Sequence, residues 1–415
     1  YFISWFKSMI KLKNAHLQFK VASRLDQLEG EWFLDSPVPF FFNPGYLKAL
    51  SESTPLGISF LYGIVYKGNQ KVALFCFQTF YFDAEQRLKL HTHENQAGAY
   101  LDKIAVAIKK YVARKVSMKV IVAGTLMAPG PYGFLFQNEL DISDRQLIIQ
   151  QLAAYFLKAG EEDFGVNMFI VKDLPQAERL KGLCAYRFPS FYEFTIQPTM
   201  VLNLNTEWSS LEDYMADLQS KYRVKTRKVI KLGEGLVEEA MNRDSFQAYK
   251  TVVFELYQQV SVAAGFNLIE LHPDYFQTLL DRCADNFGLK IIFYQSKPIA
   301  FYSYILDGDV FQAHFIGYER SLNNNLELYH NILLKLLQTA LNVGAREINF
   351  ARTALQIKSS VGAEPQDLYC YIAHKSKIIN SVVPHILEFL KPKDNWVQRR
   401  PFKELKLVVN PLLKS

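Results

Sequence analysis

The sequence predicts an α+β protein in which strands and helices form layers in two domains. Three observations support this fold class. The chain has 415 residues, which is more than a single hydrophobic core usually serves. A pattern of strand, turn, strand, helix, strand and loop occurs in each half. The segment Gln197-Pro198-Thr199 suits a junction, so we expect one domain at residues 1–197 and another at residues 198–415.

The pattern of the first half opens with a β-hairpin. Ile58–Tyr66 and Val72–Phe82 are rich in aromatic and β-branched residues, and the Gly-Asn pair between them favours a tight turn. The next three elements follow from three patterns in turn: helical spacing of apolar residues, a short apolar run, and a run rich in Gly and Pro. These elements are a helix at Leu101–Val116, a strand at Met118–Ala123 and a loop at Gly124–Gly133.

Further helices and strands connect the two patterns. A residue able to cap a helix precedes the first of these helices. Pro273 stands in the first turn of another, where its missing N–H costs no hydrogen bond. The predicted helices are Ser143–Ala159, Ser209–Gln219, Ser245–Val262 and Pro273–Asn286, and the predicted strands are Val166–Val171 and Tyr192–Gln197.

The second half repeats the order of the first. Leu289–Tyr294 and Ile299–Leu306 predict a hairpin, and Val310–Tyr318 predicts a third strand. The next helix carries an apolar stripe and is followed by Gly344, the usual residue at a helix C-terminus. The remaining predicted elements are a helix at Asn323–Asn342, strands at Glu347–Phe350 and Asp367–His374, and a terminal helix at Ser376–Leu390.

Composition narrows the function classes without choosing one. The net charge of +6 and the pI of about 8.8 fit anionic small molecules, tRNA or an anionic membrane surface. The four cysteines are far apart and form no Cys-x-x-Cys pair, so we expect reduced thiols, a cytoplasmic protein and no metal site. No apolar run has the length of a membrane span. The aromatic residues 1–9 are compatible with a short anchor at the inner membrane surface.

A cationic segment after the strand at 347–350 is the strongest candidate for a functional site. Arg352 and Lys358 lie there among small and hydroxyl residues that include Thr353 and Ser359. Ligands of α/β sheets bind beyond the carboxyl ends of strands, where a lysine can stabilise developing negative charge. We therefore expect both cations to act in catalysis and both hydroxyl residues to bind substrate. The alternative is an exposed lysine and an arginine paired with a nearby acid, Glu347 or Glu364.

A dense basic segment at Lys221–Lys231 is the second candidate. It holds six cations within eleven residues. Arginine can bind a phosphate through two parallel hydrogen bonds, so such a density favours a phosphate-bearing ligand. We expect Arg223, Lys225 and Arg227 to bind substrate. The alternative is a solvated helix face beside the acidic residues that precede it.

His314 is the candidate general base. It lies on the predicted strand Val310–Tyr318, where alternation places it on the same face as Gln312 and Ile316. A histidine exchanges a proton near neutral pH. Tyr318 ends this strand and is a further candidate for substrate binding. The alternative is a histidine that is buried in the core and has no chemical role.

Two stretches resemble a known family. NILLKLLQTALNVGAREINFARTALQIKSSVGAEP is similar to the carboxyl-terminal signature of the FemAB-like branch of the GNAT acyltransferase superfamily. LEDYMADLQSKYRVKTRKVIK is similar to the start of that family's second domain. The resemblance covers residues 200–375 and extends to the first half only through the repeated pattern.

The resemblance implies two tandem GNAT-like domains, each with a mixed, mostly antiparallel sheet flanked by helices. It also implies transfer of an acyl or aminoacyl group to an amine, with acyl-CoA or aminoacyl-tRNA as the donor. Lys358 matches by position a lysine that assists the reaction in the Fem-type enzymes, although Ile357 replaces the family's phenylalanine before it. The turn from Tyr318 to Asn325 lacks the glycines with which ordinary GNAT enzymes bind the pyrophosphate of coenzyme A.

These features support three hypotheses of function. The first is an N-acyl or aminoacyl transferase of bacterial peptidoglycan biosynthesis, acting in the cytoplasm on a small-molecule or lipid-linked cell-envelope precursor, with charged tRNA as a possible partner and no DNA. The second is a degenerate GNAT pair that serves as a binding module or scaffold. The third is a peripheral membrane N-acyltransferase that makes an amino-acid-containing lipid.

The same residues predict where the ligand lies. We expect a cleft at the junction of the domains, lined by Arg352, Lys358 and at least one cation of the basic segment. The loop Gly124–Gly133 carries no cation. An anion needs compensating charge, so we expect the first domain to contribute shape alone. Its expected contributors are Pro129, Tyr132 and Phe134.

Overall fold

Two mixed β-sheets organise the chain in the computed structural model. The structure describes residues 6–12, 16–34, 38–83, 117–158, 165–263, 269–390 and 396–403. The predicted helix at Leu101–Val116 and the first five residues of the proposed anchor lie outside these ranges. No described helix combines the length and the apolar character needed to span a bilayer.

The first sheet contains nine strands in the order β1-β2-β3-β4-β5-β7-β16-β8, with β6 paired to β4. Among its described strands, only β5 and β7 run parallel. The strands are β1 Phe6–Lys11, β2 Leu17–Ala22, β3 Ile58–Lys67, β4 Gln70–Asp83, β5 Ser117–Ala123, β6 Phe134–Phe136, β7 Met168–Pro175, β8 Tyr192–Thr195 and β16 Leu368–His374.

The second sheet contains seven strands in the order β10-β11-β12-β13-β14-β9-β15, and here β13 and β14 are the parallel pair. Its strands are β9 Thr199–Asn203, β10 Val237–Met241, β11 Phe287–Tyr294, β12 Lys297–Asp307, β13 Val310–Tyr318, β14 Glu347–Asn349 and β15 Glu364–Gln366. Helices pack against both sheets, so the predicted α+β fold class is confirmed.

Ten α-helices are described. They are α1 Pro44–Glu52, α2 Ile142–Lys158, α3 Leu211–Asp217, α4 Ser220–Leu232, α5 Lys250–Ala263, α6 Tyr275–Arg282, α7 Asn323–Leu326, α8 Leu328–Asn342, α9 Leu355–Ser360 and α10 Lys377–Leu390. Two regions of the chain differ from the sequence prediction. The helix expected at Asn323–Asn342 is broken at Glu327, whose φ of 44° is left-handed. The expected loop after β14 contains α9.

The two halves repeat, but with a different correspondence from the one that the sequence suggests. The parallel pair β5–β7 is connected through α2, and the parallel pair β13–β14 is connected through α8. Parallel neighbours need such a crossover, so β5 corresponds to β13 and not to β14. The loop Gly124–Gly133 therefore corresponds to the segment after Tyr318, and the cationic segment at Arg352 corresponds to the segment after β7.

One strand of the second half lies in the first sheet. β9, at the start of the second half, pairs with β14 and β15 of its own sheet. β16 follows the second sheet but lies between β7 and β8 of the first. The boundary at residue 197 remains a proposal, and the first sheet depends on the second half for the internal strand β16.

A shared core lies between the sheets. Phe301 and Tyr302 alternate on β12, and Phe301 belongs to a cluster that also contains Tyr62 of the first sheet. Tyr302 faces the opposite side and packs in a separate core with α8. α1 and α6 contribute to the shared cluster through Tyr46 and Tyr275, both fully buried. The two halves are therefore joined by apolar packing as well as by β16, which lies in the first sheet.

Candidate functional site

A sharply turned loop follows β14. Ala351, Thr353 and Ala354 have φ values of 57°, 66° and 48°. Residues with a Cβ rarely adopt this left-handed conformation, and such strain concentrates at functional sites. The Ala351 amide donates to Asn349 Oδ1 at 2.9 Å, and the Ala351 carbonyl accepts from the Met200 amide at 3.1 Å. The loop is held by the sheet on one side and leads directly into α9.

Lys358 lies on the buried side of α9 and is only 4% exposed. Its Nζ donates to the carbonyl oxygen of Arg352 at 2.6 Å and to that of Ala351 at 3.4 Å. Burial lowers the pKa of this amine to about 7. Among the described residues, no carboxylate forms a salt bridge with it. The side chain therefore holds the strained loop and can gain or lose a proton near neutral pH.

Arg352 connects the two halves. Its guanidinium pairs with Asp173 of β7, whose side chain is fully buried, and its Nε donates to the Gln197 carbonyl at 2.9 Å. Lys172 pairs with the same carboxylate. Burial would raise the pKa of Asp173, but the charges of Lys172 and Arg352 hold it below its ordinary value. Arg352 is thus paired with Asp173 and with neither glutamate named in the sequence alternative.

His314 is enclosed by aromatic rings. Its Nε2 shares a hydrogen bond of 2.8 Å with the Tyr275 hydroxyl, and its Nδ1 is buried without a hydrogen-bond partner in the described part of the chain. Burial lowers its pKa to about 3, so the ring is neutral at physiological pH. The His314 side chain is half-buried, and its role as a general base stays a prediction.

A cleft of about 800 Å³ opens between α4, α9 and residues near the carboxyl end. Its lining contains three cations, two aromatic residues and no carboxylate, and His314 lies outside it. The lining residues are Lys221, Tyr222, Lys225, Ala354, Leu355, Gln356, Ile357, Ser360, Trp396 and Arg399. A cleft of this composition suits an anion that carries a planar group.

The cleft differs from the one that the sequence predicts. Of the nine predicted site residues, Lys225 lines it. Lys358 is buried and does not line the cleft, but in sequence it lies between the lining residues Ile357 and Ser360 of α9. Every lining residue comes from the second half. Tyr132 instead packs on Phe41 with ring centroids 3.9 Å apart.

The other predicted residues occupy separate places. Arg223 is half-buried and its Nη1 lies 3.5 Å from the Ala216 carbonyl, while Arg227 is exposed on α4. Tyr318 is half-buried and packs against the ring of Tyr329 at 6.1 Å. Thr353 is exposed on the strained loop.

Ser359 is fully buried, and its hydroxyl contacts backbone groups. It donates to the Gln356 carbonyl at 2.9 Å and accepts from the Arg399 amide at 3.0 Å. The lining residues Trp396 and Arg399 were not predicted from the sequence, and Lys221 was predicted only as a member of the basic segment. The density of the basic segment is a signal for Lys221, whereas no local pattern connects Trp396 or Arg399 to α9.

A second cavity of about 270 Å³ lies in the first half. Phe134, Phe136 and Ile149 are among its apolar lining residues, and Lys172 contributes a cation. The described residues include no group of His, Cys, Asp or Glu that is suited to hold a metal ion.

Fold and site together define an α+β protein with two mixed sheets and a cationic cleft beside a buried lysine. No family model matches the sequence, and no curated protein sequence matches it significantly. Among solved structures, it is similar to a tandem GNAT protein from the clavulanic acid biosynthesis pathway, with 12% identity and a TM-score of 0.48 over 87% of this chain and 99% of that one.

Two further similar structures have comparable values. FemX has 11% identity and a TM-score of 0.45 over 83% of this chain and 93% of its own. L-PGS from Bacillus licheniformis has 12% identity and a TM-score of 0.44 over 85% of this chain and 98% of its own. All three TM-scores lie below 0.5, so these likenesses do not establish a shared activity.

Proposed function

We propose that this protein transfers an acyl or aminoacyl group to an amine of a cell-envelope precursor. The observation that carries the proposal is the Lys358 amine, buried at 4% exposure with a pKa of about 7, on the helix whose residues Ile357 and Ser360 line a cleft with three cations. An amine in this state changes protonation at neutral pH, which is what proton transfer in catalysis requires. The sequence resemblance to the FemAB-like family supports the same reaction class.

The reaction requires the site to transfer protons and to bind the acceptor and the donor. The acceptor nitrogen attacks the donor carbonyl carbon, the bond to the donor's leaving group breaks, and the acceptor loses a proton. In our proposal Lys358 takes that proton and returns one to the leaving group. The strained loop that it holds, Ala351–Ala354, would position the acceptor. Lys221, Lys225 and Arg399 would bind the phosphates of the donor, either acyl-CoA or aminoacyl-tRNA, since both carry them.

A transfer assay tests the proposal. Purified protein would be supplied with acyl-CoA or charged tRNA and with amine acceptors, and product would be measured for the wild type, Lys358→Met and Lys358→Arg. We expect Lys358→Met to lower kcat/KM by about 100- to 10,000-fold. Lys228 is exposed on α4 and does not line the cleft, so Lys228→Met serves as the matched control. Equal turnover by wild type and Lys358→Met would show that the assignment is wrong.

One observation favours a second function, a binding module without turnover. Within the described part of the chain, the Lys358 amine hydrogen-bonds to carbonyl oxygens of its own loop, and His314 is neutral and lies outside the cleft lining. Both groups are then structural. In this case ligands would raise the melting temperature. Neither acyl-CoA nor charged tRNA would yield product at any pH between about 6 and 9, the range in which the lysine titrates.

Helix α10 favours an acceptor at a membrane surface. Ile378 is 80% exposed, Ile379 43% and Val382 45%, and Lys377 at the start of the helix is also exposed. An exposed apolar helix face with a cation at its start fits a helix that lies in the interface of an anionic bilayer. Flotation with phosphatidylglycerol vesicles should recover the wild type and not Ile378→Ser/Val382→Ser. Equal recovery of both would remove the support for this location.

A further inference from the structure

A segment near the carboxyl end crosses the second half beside the cleft. We call Trp396–Lys403 the tail segment. Backbone hydrogen bonds join it to the connection between α3 and α4: the Gln219 amide donates to the Pro401 carbonyl at 2.8 Å, and the Lys403 amide donates to the Asp217 carbonyl at 3.0 Å. The Gln219 side chain donates to the carbonyls of Arg400 at 3.2 Å and Phe402 at 2.9 Å.

Phe402 anchors this segment in the core of the second half. Its ring lies 5.4 Å from that of Trp208 and 5.9 Å from that of Tyr214, measured between centroids. Gly362 leaves room for it, because a Cβ at that position would lie 2.3 Å from the Phe402 ring. The tail segment is therefore a fitted part of the fold.

The tail segment also touches the helix that carries Lys358. The Arg399 amide donates to Ser359 Oγ at 3.0 Å, so the residue next to Lys358 fixes the path of the tail. This contact places Arg399 and Trp396 in the wall of the cleft, with Lys221 and Lys225 of α4 in the lining as well. Arg399 is exposed and Trp396 is half-buried. Neither side chain has a described hydrogen bond or salt bridge inside the protein that would explain its position.

We propose that the tail segment is a ligand-binding element and that it fits a phosphorylated nucleoside, with Arg399 on the phosphate and Trp396 against the base. The inference rests on the proposed function, since it assigns the anionic donor to this cleft. Guanidinium groups bind phosphate bidentately, and an indole ring stacks on any base. The described lining contains no carboxylate, so no negative side chain there repels the phosphates of a ligand. Ser359 acts as a positioning residue for the tail.

Binding of ADP and of inorganic pyrophosphate, measured by calorimetry at low salt, tests the inference. Arg399→Gln should weaken both by about 5- to 30-fold, since it removes a charge-assisted contact. Trp396→Leu should weaken ADP by about 5- to 100-fold and leave pyrophosphate unchanged. Arg400→Gln is the matched control, because Arg400 is adjacent and exposed but absent from the lining, and it should bind both ligands like the wild type.

Phe402→Ala provides a second variant that touches no ligand. It should release the tail segment and weaken the binding of ADP to the same extent as Arg399→Gln. A melting curve verifies that the variant stays folded. If Lys225→Gln weakens ADP but Arg399→Gln, Trp396→Leu and Phe402→Ala do not, the tail assignment is overturned and the anionic cleft stands. If the wild type binds neither ligand, the anionic cleft of the proposed function fails, and the tail assignment fails with it.

Discussion

Replacing Lys358 with methionine should change how the stability of the protein depends on pH. The amine has a pKa of about 7 in the folded protein against an ordinary value of 10.5, and burial is the cause. This difference corresponds to about 5 kcal/mol of penalty for the charged form in the folded state. Methionine has similar length and no charge, so it removes the penalty. It also leaves the carbonyls of Ala351 and Arg352 without this donor, which costs about 1–3 kcal/mol at every pH.

The sign depends on which state binds the proton. Below pH 7 the amine is charged in both the folded and the unfolded chain, so the penalty is fully present. Between pH 7 and 10.5 the unfolded chain keeps the proton and the folded protein loses it, and the penalty disappears. The contribution of Lys358 to the free energy of unfolding therefore rises by up to about 1.4 kcal/mol for each pH unit in this window.

Urea denaturation at about pH 6.5, 8 and 9.5 measures the effect across this window. The stability of Lys358→Met relative to wild type should be most favourable at about pH 6.5 and should fall by about 3 kcal/mol by about pH 9.5. Taking the difference between the variants cancels the contributions of other titrating groups. Lys228→Met should follow the wild type throughout, because Lys228 is exposed. Parallel pH profiles for wild type and Lys358→Met would refute the buried, readily deprotonated amine.

Three further predictions concern the connection of the halves and the tail. Asp173→Asn removes a buried counter-charge from two partly buried cations, Lys172 and Arg352, and should lower the free energy of unfolding by about 3–5 kcal/mol. Asp309→Asn, at an exposed pair, should change it by less than about 1 kcal/mol in the same urea titration. Gly362→Ala places a Cβ at 2.3 Å from the Phe402 ring at a φ of +98°, and it should lower the free energy of unfolding by at least about 2 kcal/mol. Gly308→Ala, where φ is +61° and no atom lies within 4 Å of the new Cβ, should lower it by about 1 kcal/mol. The fragment 1–197 lacks β16 and should show no cooperative thermal transition by circular dichroism, while a sharp transition would show that the first sheet folds without it.

Local elements were predictable from the sequence because their signals are local. The hairpins β3–β4 and β11–β12 were indicated by aromatic and β-branched runs around short turns, since alternation and turn chemistry act within a few residues. The apolar stripe of α8 likewise predicted a helix. Glu327 marks the limit, because its left-handed backbone breaks a helix that periodicity alone would continue.

The site depended on contacts that no local pattern encodes. Arg352 meets Asp173, a residue 179 positions away, and β16 enters a sheet whose other strands come from the first half. The burial of Lys358 depends on α9 turning inward after three left-handed residues. Arg399 is held at the cleft by its amide hydrogen bond to Ser359 and by the packing of Phe402 beside Gly362. The sequence by itself determined the fold class, the strands of the hairpins and the positions of the two cationic segments along the chain. Only the tertiary structure decided which cations are paired, which is buried and which face the cleft, because burial and charge pairing depend on neighbours that are distant in the chain.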